Sequence, residues 1–157
     1  PTTRGRSRVE EDYKILLSNE SPILAVTTSS IRALNKAVES NGGRPVSAEV
    51  FRPNIIISSQ NTTNAYSEDN WASLRMGHLD FEVLGPCQRC HMVCFDPKTG
   101  IKGAEPFVTL SKTRRFSGKV WFGIHLAMVT QVSSVAQLPE IHALQVGDTI
   151  QQGAPKR

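Results

Sequence analysis

The stretch His78-Leu79-Asp80-Phe81-Glu82-Val83-Leu84-Gly85-Pro86-Cys87-Gln88-Arg89-Cys90 decides how this chain is read. Leu79, Phe81 and Val83 fall on one side, while His78, Asp80 and Glu82 fall on the other. A period of two is the mark of a strand with one buried face. The strand runs into Gly85-Pro86 and then a Cys-x-x-Cys pair. All three cysteines of the chain lie within this stretch or four residues beyond it, at 87, 90 and 94. Past Cys90 the alternation resumes, with Met92 and Cys94 on the side of Cys90 and His91, Val93 and Phe95 opposite. Asp96-Pro97-Lys98-Thr99-Gly100 is a turn by composition, so a hairpin is expected here.

Working outward, Pro22–Thr27 is a compact β-prone run and reads as a buried strand. Ser29 or Ser30 offers an N-cap oxygen, Ile31, Leu34 and Val38 follow at helical spacing, and Gly42-Gly43 ends the helix. Three consecutive isoleucines, Ile55-Ile56-Ile57, indicate a buried strand; Pro53 cannot donate to a sheet ladder, so the strand begins near it or that part lies at an edge. Ser67-Glu68-Asp69 reads as a helix start, with Trp71 and Leu74 facing inward and Gly77 as the stop. Residues 101–119 read as mixed loop. Val120–Val129 is a further strand, in which Gly123 marks a bulge or a close approach to another group. Leu144–Ile150 resembles a last short strand pair, and the tail from Gln151 is polar. Strands outnumber helices and the intervals are too short for βαβ crossovers. The expected class is α+β with a mostly antiparallel, barrel-like sheet and a few short helices.

The chain has 157 residues, 39% of them hydrophobic and 20% charged, enough for one domain with a real core. The chain opens on Pro1 rather than Met, as a segment of something longer would, and Pro1–Arg8 lack the apolar core of a signal peptide. No apolar run reaches membrane-spanning length. The formal charge of +4 is mild. Its basic residues form two groups, Arg4, Arg6 and Arg8, then Lys112, Arg114 and Arg115. They read as solvated surface or as ligands for a small anion. Basic and aromatic residues do not interleave as they do in single-strand nucleic-acid binders, so neither nucleic acid nor membrane is expected as a partner. An odd, crowded set of cysteines is a poor disulfide framework and points to a reducing, cytoplasmic setting.

Three chemistries use a Cys-x-x-Cys pair. A structural zinc site needs four ligands; Cys87 and Cys90 supply two, but no second pair stands at matching spacing. A redox dithiol belongs at a helix N-terminus, whereas the residues after Cys90 alternate like a strand. The third option is a single exposed thiolate, Cys90, acting as a soft ligand or sulfur carrier. Arg89 beside it would favour the anion and could bind an anionic cofactor. Cys87 and Cys94 then read as small buried hydrophobes. Arg52 and Asn54 stand at a strand threshold, where polar groups often face a ligand. His125, near Gly123, could face a ligand or serve as a structural histidine.

Ser21-Pro22-Ile23-Leu24, the capped helix with Ala33-Leu34-Asn35, Phe51-Arg52-Pro53-Asn54-Ile55, Ser67-Glu68-Asp69-Asn70-Trp71, Gly85-Pro86-Cys87-Gln88-Arg89-Cys90 and Asp96-Pro97-Lys98-Thr99-Gly100 occur in the order of a MOSC domain. The resemblance runs from about Ser21 to Ile150. It is strongest to the MOSC domain that ends eukaryotic molybdenum cofactor sulfurases, and second to the mitochondrial amidoxime-reducing component. It implies residues 1–18 as a tail or linker, 19–151 as the MOSC domain and 152–157 as a C-terminal tail. It also implies a β-barrel-based fold that binds the molybdenum cofactor (Mo-molybdopterin). In the reductase branch the cysteine matching Cys90 ligates molybdenum and the arginine matching Arg52 binds the phosphate end of the pterin. The segment matching Asn19 to Ser21 lines the same site, and relatives often carry tyrosine at the position of His125. Cys90 is therefore the expected catalytic residue and molybdenum ligand, with Arg52, Asn54, Ser21, Arg89 and His125 as cofactor-binding residues. In sulfurases a separate pyridoxal-phosphate cysteine desulfurase domain supplies the sulfur, and xanthine dehydrogenase and aldehyde oxidase receive the sulfurated cofactor. An oxidoreductase of the amidoxime-reducing type and a non-catalytic zinc-binding module remain as alternatives.

Overall fold

In a computed structural model the chain is described over residues 21–58, 65–129 and 143–153. The tail at 1–18 and His142 lie outside them. Seven strands form one curled sheet in the order β2 (Ile55–Ile57), β1 (Ile23–Thr27), β6 (Lys119–Met128), β4 (Leu79–Gln88), β3 (Ser73–Met76) and β7 (Ile150–Gln152), with β5 (Arg115–Phe116) pairing to β6 off this path. Only the β1–β2 pair is parallel. The sheet closes as far as a half-barrel and carries two α-helices, so the expected α+β, mostly antiparallel class holds.

β1 (Ile23–Thr27) passes without a loop into α1 (Thr28–Ser40). Thr27 is both the last strand residue and the N-cap, and its hydroxyl accepts from Ser30 N–H at 3.2 Å. The cap therefore falls two to three residues earlier than Ser29 or Ser30. Those serines are buried inside the first turn, their hydroxyls close to that of Thr27. At the other end Gly42 (φ 76°) and Gly43 return their N–H groups to Glu39 and Val38, the double hydrogen bond that closes a helix on a left-handed glycine.

β2 (Ile55–Ile57) is an edge strand rather than a buried one. Ile57 is buried, but Ile56 points outward and is 49% exposed. The helix expected over 67–77 is one 3-10 turn, Ser67–Asn70, followed by β3 (Ser73–Met76). Leu74 and Met76 are buried while Arg75 between them is exposed, so the period there is two rather than 3.6. Gly77 (φ 56°) turns β3 into β4 (Leu79–Gln88). β4 buries Phe81, Val83 and Cys87, in agreement with the alternation at 79–83.

Past Cys90 the expected strand is absent. His91–Cys94 is a 3-10 turn, and Val93 and Cys94 are buried next to each other, which an alternating strand cannot do. The 96–100 turn is present. Asp96 accepts from the N–H groups of Lys98 and Thr99, which holds its carboxyl below the usual range. The expected loop at 101–119 contains α2 (Phe107–Thr113) and β5 (Arg115–Phe116). α2 is seven residues long and holds two threonines, too little for a periodic signal. Glu105 anchors it by accepting from the N–H and the hydroxyl of Thr109 at 3.0 and 2.9 Å. β6 (Lys119–Met128) is the central strand. Of the strand pair expected over Leu144–Ile150 only Ile150 is in a strand, the first residue of β7 (Ile150–Gln152); 144–149 has no strand and turns at Val146 and Gly147.

Two cores lie on the two faces of this sheet. Ala25, Ile57, Trp71, Leu74, Met76, Phe81, Val83, Ile124 and Leu126 form one, which contains no helical residue. Val26, Leu34, Val38, Phe51, Val93, Cys94, Leu110, Val120 and Phe122 pack under the helices. Within β6, Val120 and Phe122 belong to the helical side, but Ile124 and Leu126 belong to the other. Strict alternation would put all four on one face. Gly123, at φ 76°, inverts the strand between them. A Cβ there would stand 2.8 Å from the Ala25 carbonyl oxygen and 2.9 Å from Val26 Cγ1. The expected close approach is thus confirmed, and it turns His125 toward the helical side with Phe122.

Candidate functional site

The site is assembled around the end of β4. Arg89 N–H donates to Val120 O (2.8 Å), which continues the β4–β6 pairing for one residue. The Arg89 side chain then turns inward and is only 8% exposed. Its Nε donates to Phe122 O at 2.8 Å and its Nη1 to Phe51 O at 3.1 Å. The guanidinium carbon lies 5.4 Å from the Phe51 ring centroid, and that ring stacks on Phe122 at 4.2 Å. The missing side chain of Gly123 makes room, because a Cβ there would be 3.2 Å from Arg89 Nη2. Arg89 therefore clamps the 3-10 turn Ala48–Phe51 to the central strand. Its charge is directed into the fold rather than laid on the surface beside the thiol.

Each end of this clamp adjoins an exposed predicted residue. Cys90 follows Arg89 and is exposed, whereas Cys87 and Cys94 are buried. Their thiols donate to Gln88 O (3.6 Å) and Ala104 O (3.3 Å). Arg52 follows Phe51, is exposed, and has left-handed backbone angles (φ 53°, ψ 49°). A left-handed non-glycine is unfavourable, and the residue before a proline is normally extended. Such a conformation costs about 1–3 kcal/mol and persists only where neighbours over-determine it. Here Arg52 N–H donates to Glu49 O (2.9 Å), and Arg89 holds the preceding carbonyl. On the other side Asn54 is tied twice to Leu24. Its N–H donates to Leu24 O (2.9 Å) and its Oδ1 accepts from Leu24 N–H (2.8 Å).

Leu24 pairs with His125 across β1 and β6, and His125 pairs with Gly85 across β6 and β4. Asn54, Leu24, His125 and Gly85 thus form one row across four neighbouring strands. Ser21, buried ahead of β1, reaches His125 Nδ1 at 2.5 Å and donates its hydroxyl to Ile23 O at 3.1 Å. A serine hydroxyl has one proton and a carbonyl can only accept, so if Ile23 O takes that proton, His125 Nδ1 is the donor to Ser21. The fold joins Ser21 to His125, Asn54 to the same row, and Arg52 to Cys90 through Arg89. Among the described residues no three His, Cys, Asp or Glu side chains converge as a zinc site requires.

The sequence reading missed a second polar cluster under the start of α1. Glu68 is 1% exposed, accepts from Thr27 Oγ1 (3.1 Å), and has Oε2 buried without a hydrogen-bond partner. Burial raises its pKa, against the lowering effect of the Ser30 and Thr27 hydroxyls. Tyr66 N–H donates to Ser30 Oγ at 2.7 Å, and burial raises the phenol's pKa too, with nearby Arg114 opposing. Arg114 pairs with Asp69 and lies 4.3 Å above the Tyr66 ring.

The profile of the MOSC domain matches residues 12–151. The chain belongs to the MOSC domain family. It is 47% identical, over 98% of its length, to a molybdenum cofactor sulfurase of Botryotinia fuckeliana (strain B05.10). To molybdenum cofactor sulfurases of Aspergillus terreus and Aspergillus clavatus it is 38% and 40% identical over 99% and 96% of its length. The chain spans only 19–20% of the length of these relatives. As a MOSC domain it accounts for the half-barrel and for the order of its motifs, and no described helix is long and apolar enough to cross a membrane.

Proposed function

We propose that this MOSC domain is the platform of a molybdenum cofactor sulfurase, holding the cofactor as substrate while a terminal sulfur is placed on its molybdenum. The observation that carries this reading is the Arg89 clamp. It fixes the backbone before Arg52 to the residue before Cys90, so an exposed guanidinium and the one exposed thiol flank the same buried group.

The residues suit such a ligand. Arg52 offers a planar fork of donors for the phosphate end of the pterin, and Cys90 a soft donor for the metal end. Asn54 holds the strand threshold that carries Arg52. His125 lies in the same row of the sheet, with Ser21 against its Nδ1, and would orient its ring toward the bound pterin. Arg89 acts through the others as a positioning residue. The molybdenum centre supplies the atom that accepts sulfur. The sulfur itself would come from a pyridoxal-phosphate desulfurase domain of the same polypeptide, and xanthine dehydrogenase and aldehyde oxidase would receive the product in the cytoplasm.

The test is pterin and molybdenum retention by protein purified under reducing conditions, together with restoration of xanthine dehydrogenase activity by the full-length protein. Arg52→Ala should lower pterin retention about tenfold or more, the loss of one charge-assisted contact. Cys90→Ala should lower molybdenum retention or sulfuration. Full sulfuration by Cys90→Ala, or zinc without pterin in the wild-type protein, would overturn the reading.

A further inference from the structure

The β5–β6 hairpin carries charge that the cofactor reading does not use. From Pro106 to Val129 the chain has four cations, Lys112, Arg114, Arg115 and Lys119, and no Asp or Glu. Arg114 is buried and paired with Asp69. Lys112, Arg115 and Lys119 are exposed, and among the described residues none has a carboxylate within ion-pair distance. The hairpin turns at Ser117 and Gly118 (φ 51° and 76°) and leaves Phe116 54% exposed. Behind Phe116, Trp121 donates its indole N–H to Phe116 O at 3.1 Å. Lys119 Nζ stands 5.7 Å from the Trp121 ring, and the Arg114 guanidinium 5.5 Å from the Phe116 ring. Among the described residues β5 pairs with β6 alone, and none of them lies along its outer edge as a strand.

We propose that this hairpin is a docking surface for an acidic polypeptide segment laid along β5. Its carboxylates would meet Lys112, Arg115 and Lys119, and an apolar side chain would cover Phe116. Charge complementarity sets the sign of the partner. The open edge sets its class, because an extended peptide can add main-chain hydrogen bonds to a free strand. Single-stranded nucleic acid would need aromatic faces for stacking, and a cation already stands over each of these two rings. Gln88 pairs with Trp121 and Arg89 N–H with Val120 O, so Cys90 leaves the sheet beside this hairpin. A docked segment would bring its neighbouring residues to the exposed thiol. That consequence rests on the cofactor reading; the docking itself does not.

The probe is a seven-residue peptide alternating Glu with Val and Leu. The chain has two tryptophans, and Trp71 is buried in the core on the face away from the helices. In Trp71→Phe protein, Trp121 is therefore a local fluorescence reporter, and anisotropy of a labelled peptide on the unaltered chain gives a second readout. Saturable binding is expected at about 50 mM salt, weakening about tenfold or more at about 500 mM. Arg115→Glu/Lys119→Glu should also weaken it about tenfold or more, and Phe116→Ala severalfold, with unchanged circular dichroism. No saturable binding at low salt, or equal binding by the double variant, would overturn the proposal. So would tighter binding of tripolyphosphate or of a ten-nucleotide oligothymidylate than of the peptide. Cys90→Ala and Arg52→Ala should bind the peptide normally, and the hairpin variant should keep pterin, so failure of either reading is visible without the other.

Discussion

Replacing Gly123 by alanine should destabilise the domain by an amount that separates into two parts. The first is conformational. Gly123 has φ 76°, and an L-residue held there costs about 1–2 kcal/mol. The second is steric. The new Cβ would lie 2.8 Å from Ala25 O and 2.9 Å from Val26 Cγ1, both on β1 and both 1% exposed or less. Neither can swing aside, so β1 must shift against β6, an overpacking cost of about 1–3 kcal/mol. The sum, about 2–5 kcal/mol, is a large share of the 5–15 kcal/mol typical of a domain. Gly118 supplies the control, because it has the same φ of 76° and nothing stands within 4 Å of where its Cβ would be. Gly118→Ala should therefore show the conformational part alone. Urea unfolding followed by fluorescence and circular dichroism measures both variants. With a slope near 2 kcal/mol/M, Gly123→Ala should move the midpoint down by about 1–2.5 M and Gly118→Ala by less than about 1 M. The added methyl also meets Arg89 Nη2 at 3.2 Å, so pterin retention should fall in Gly123→Ala and not in Gly118→Ala. Equal destabilisation by the two substitutions would refute the tight β1–β6 approach and the role given to Gly123.

Two further outcomes follow from buried polar groups. Burial raises the pKa of Glu68, so the folded state binds that proton more tightly than the unfolded state does. The stability tied to this proton is fully present below the unfolded value, 4.5, and is lost as pH rises through the folded value. The stability of wild type minus that of Glu68→Gln should accordingly decline above about pH 4.5, by at most about 1.4 kcal/mol per pH unit, and then level off; a rising or flat difference curve from urea unfolding would contradict the raised pKa of this buried carboxyl. For Ser21, nitrogen NMR should find His125 with its hydrogen on Nδ1 in the wild-type protein and a mixed tautomer in Ser21→Ala, with His125→Gln used for assignment. A wild-type ring bearing its hydrogen on Nε2 would rule out the hydrogen-bond direction inferred from Ile23 O.

What could be read from the sequence, and what could not, divides by the range of the interaction. The alternation at 79–83 and the apolar spacing at 31, 34 and 38 report local burial, and both elements stand where they were expected. The segment from Ser67 failed because acids at a turn start are shared by helices and single 3-10 turns, while the period-two signal of Leu74 and Met76 is only two residues deep. Val93 and Cys94 are adjacent and both buried, a pattern that no period describes. The three isoleucines carry β propensity but not sheet position, and position is what exposes Ile56. Ser21 and His125 are 104 residues apart, and Arg89 meets Phe51 across 38. Nothing local announces such contacts. Residue types at a strand threshold pointed to Arg52 and Cys90 as candidates, but only the fold supplies the guanidinium that links them.

That link reassigns Arg89. Beside a cysteine in sequence, an arginine suggests a charge that favours the thiolate. Folded, its Nε and Nη1 are committed to two carbonyl oxygens on different elements, and a charged donor left without them would be a buried liability of several kcal/mol. Arg89 therefore cannot leave its place cheaply, and neither can Phe51 or the strand at Phe122. The strained backbone of Arg52 begins at the carbonyl carbon that Arg89 holds. A left-handed residue before a proline survives only where both flanks are fixed. One flank is fixed by Arg89 and the other by the paired Asn54–Leu24 hydrogen bonds. Gly123 leaves the room in which the guanidinium reaches both carbonyls, because a Cβ there would stand 3.2 Å from Nη2. The strand inversion, the buried arginine and the strained arginine are thus successive consequences of one missing side chain, and the conformation of the exposed guanidinium depends on all three.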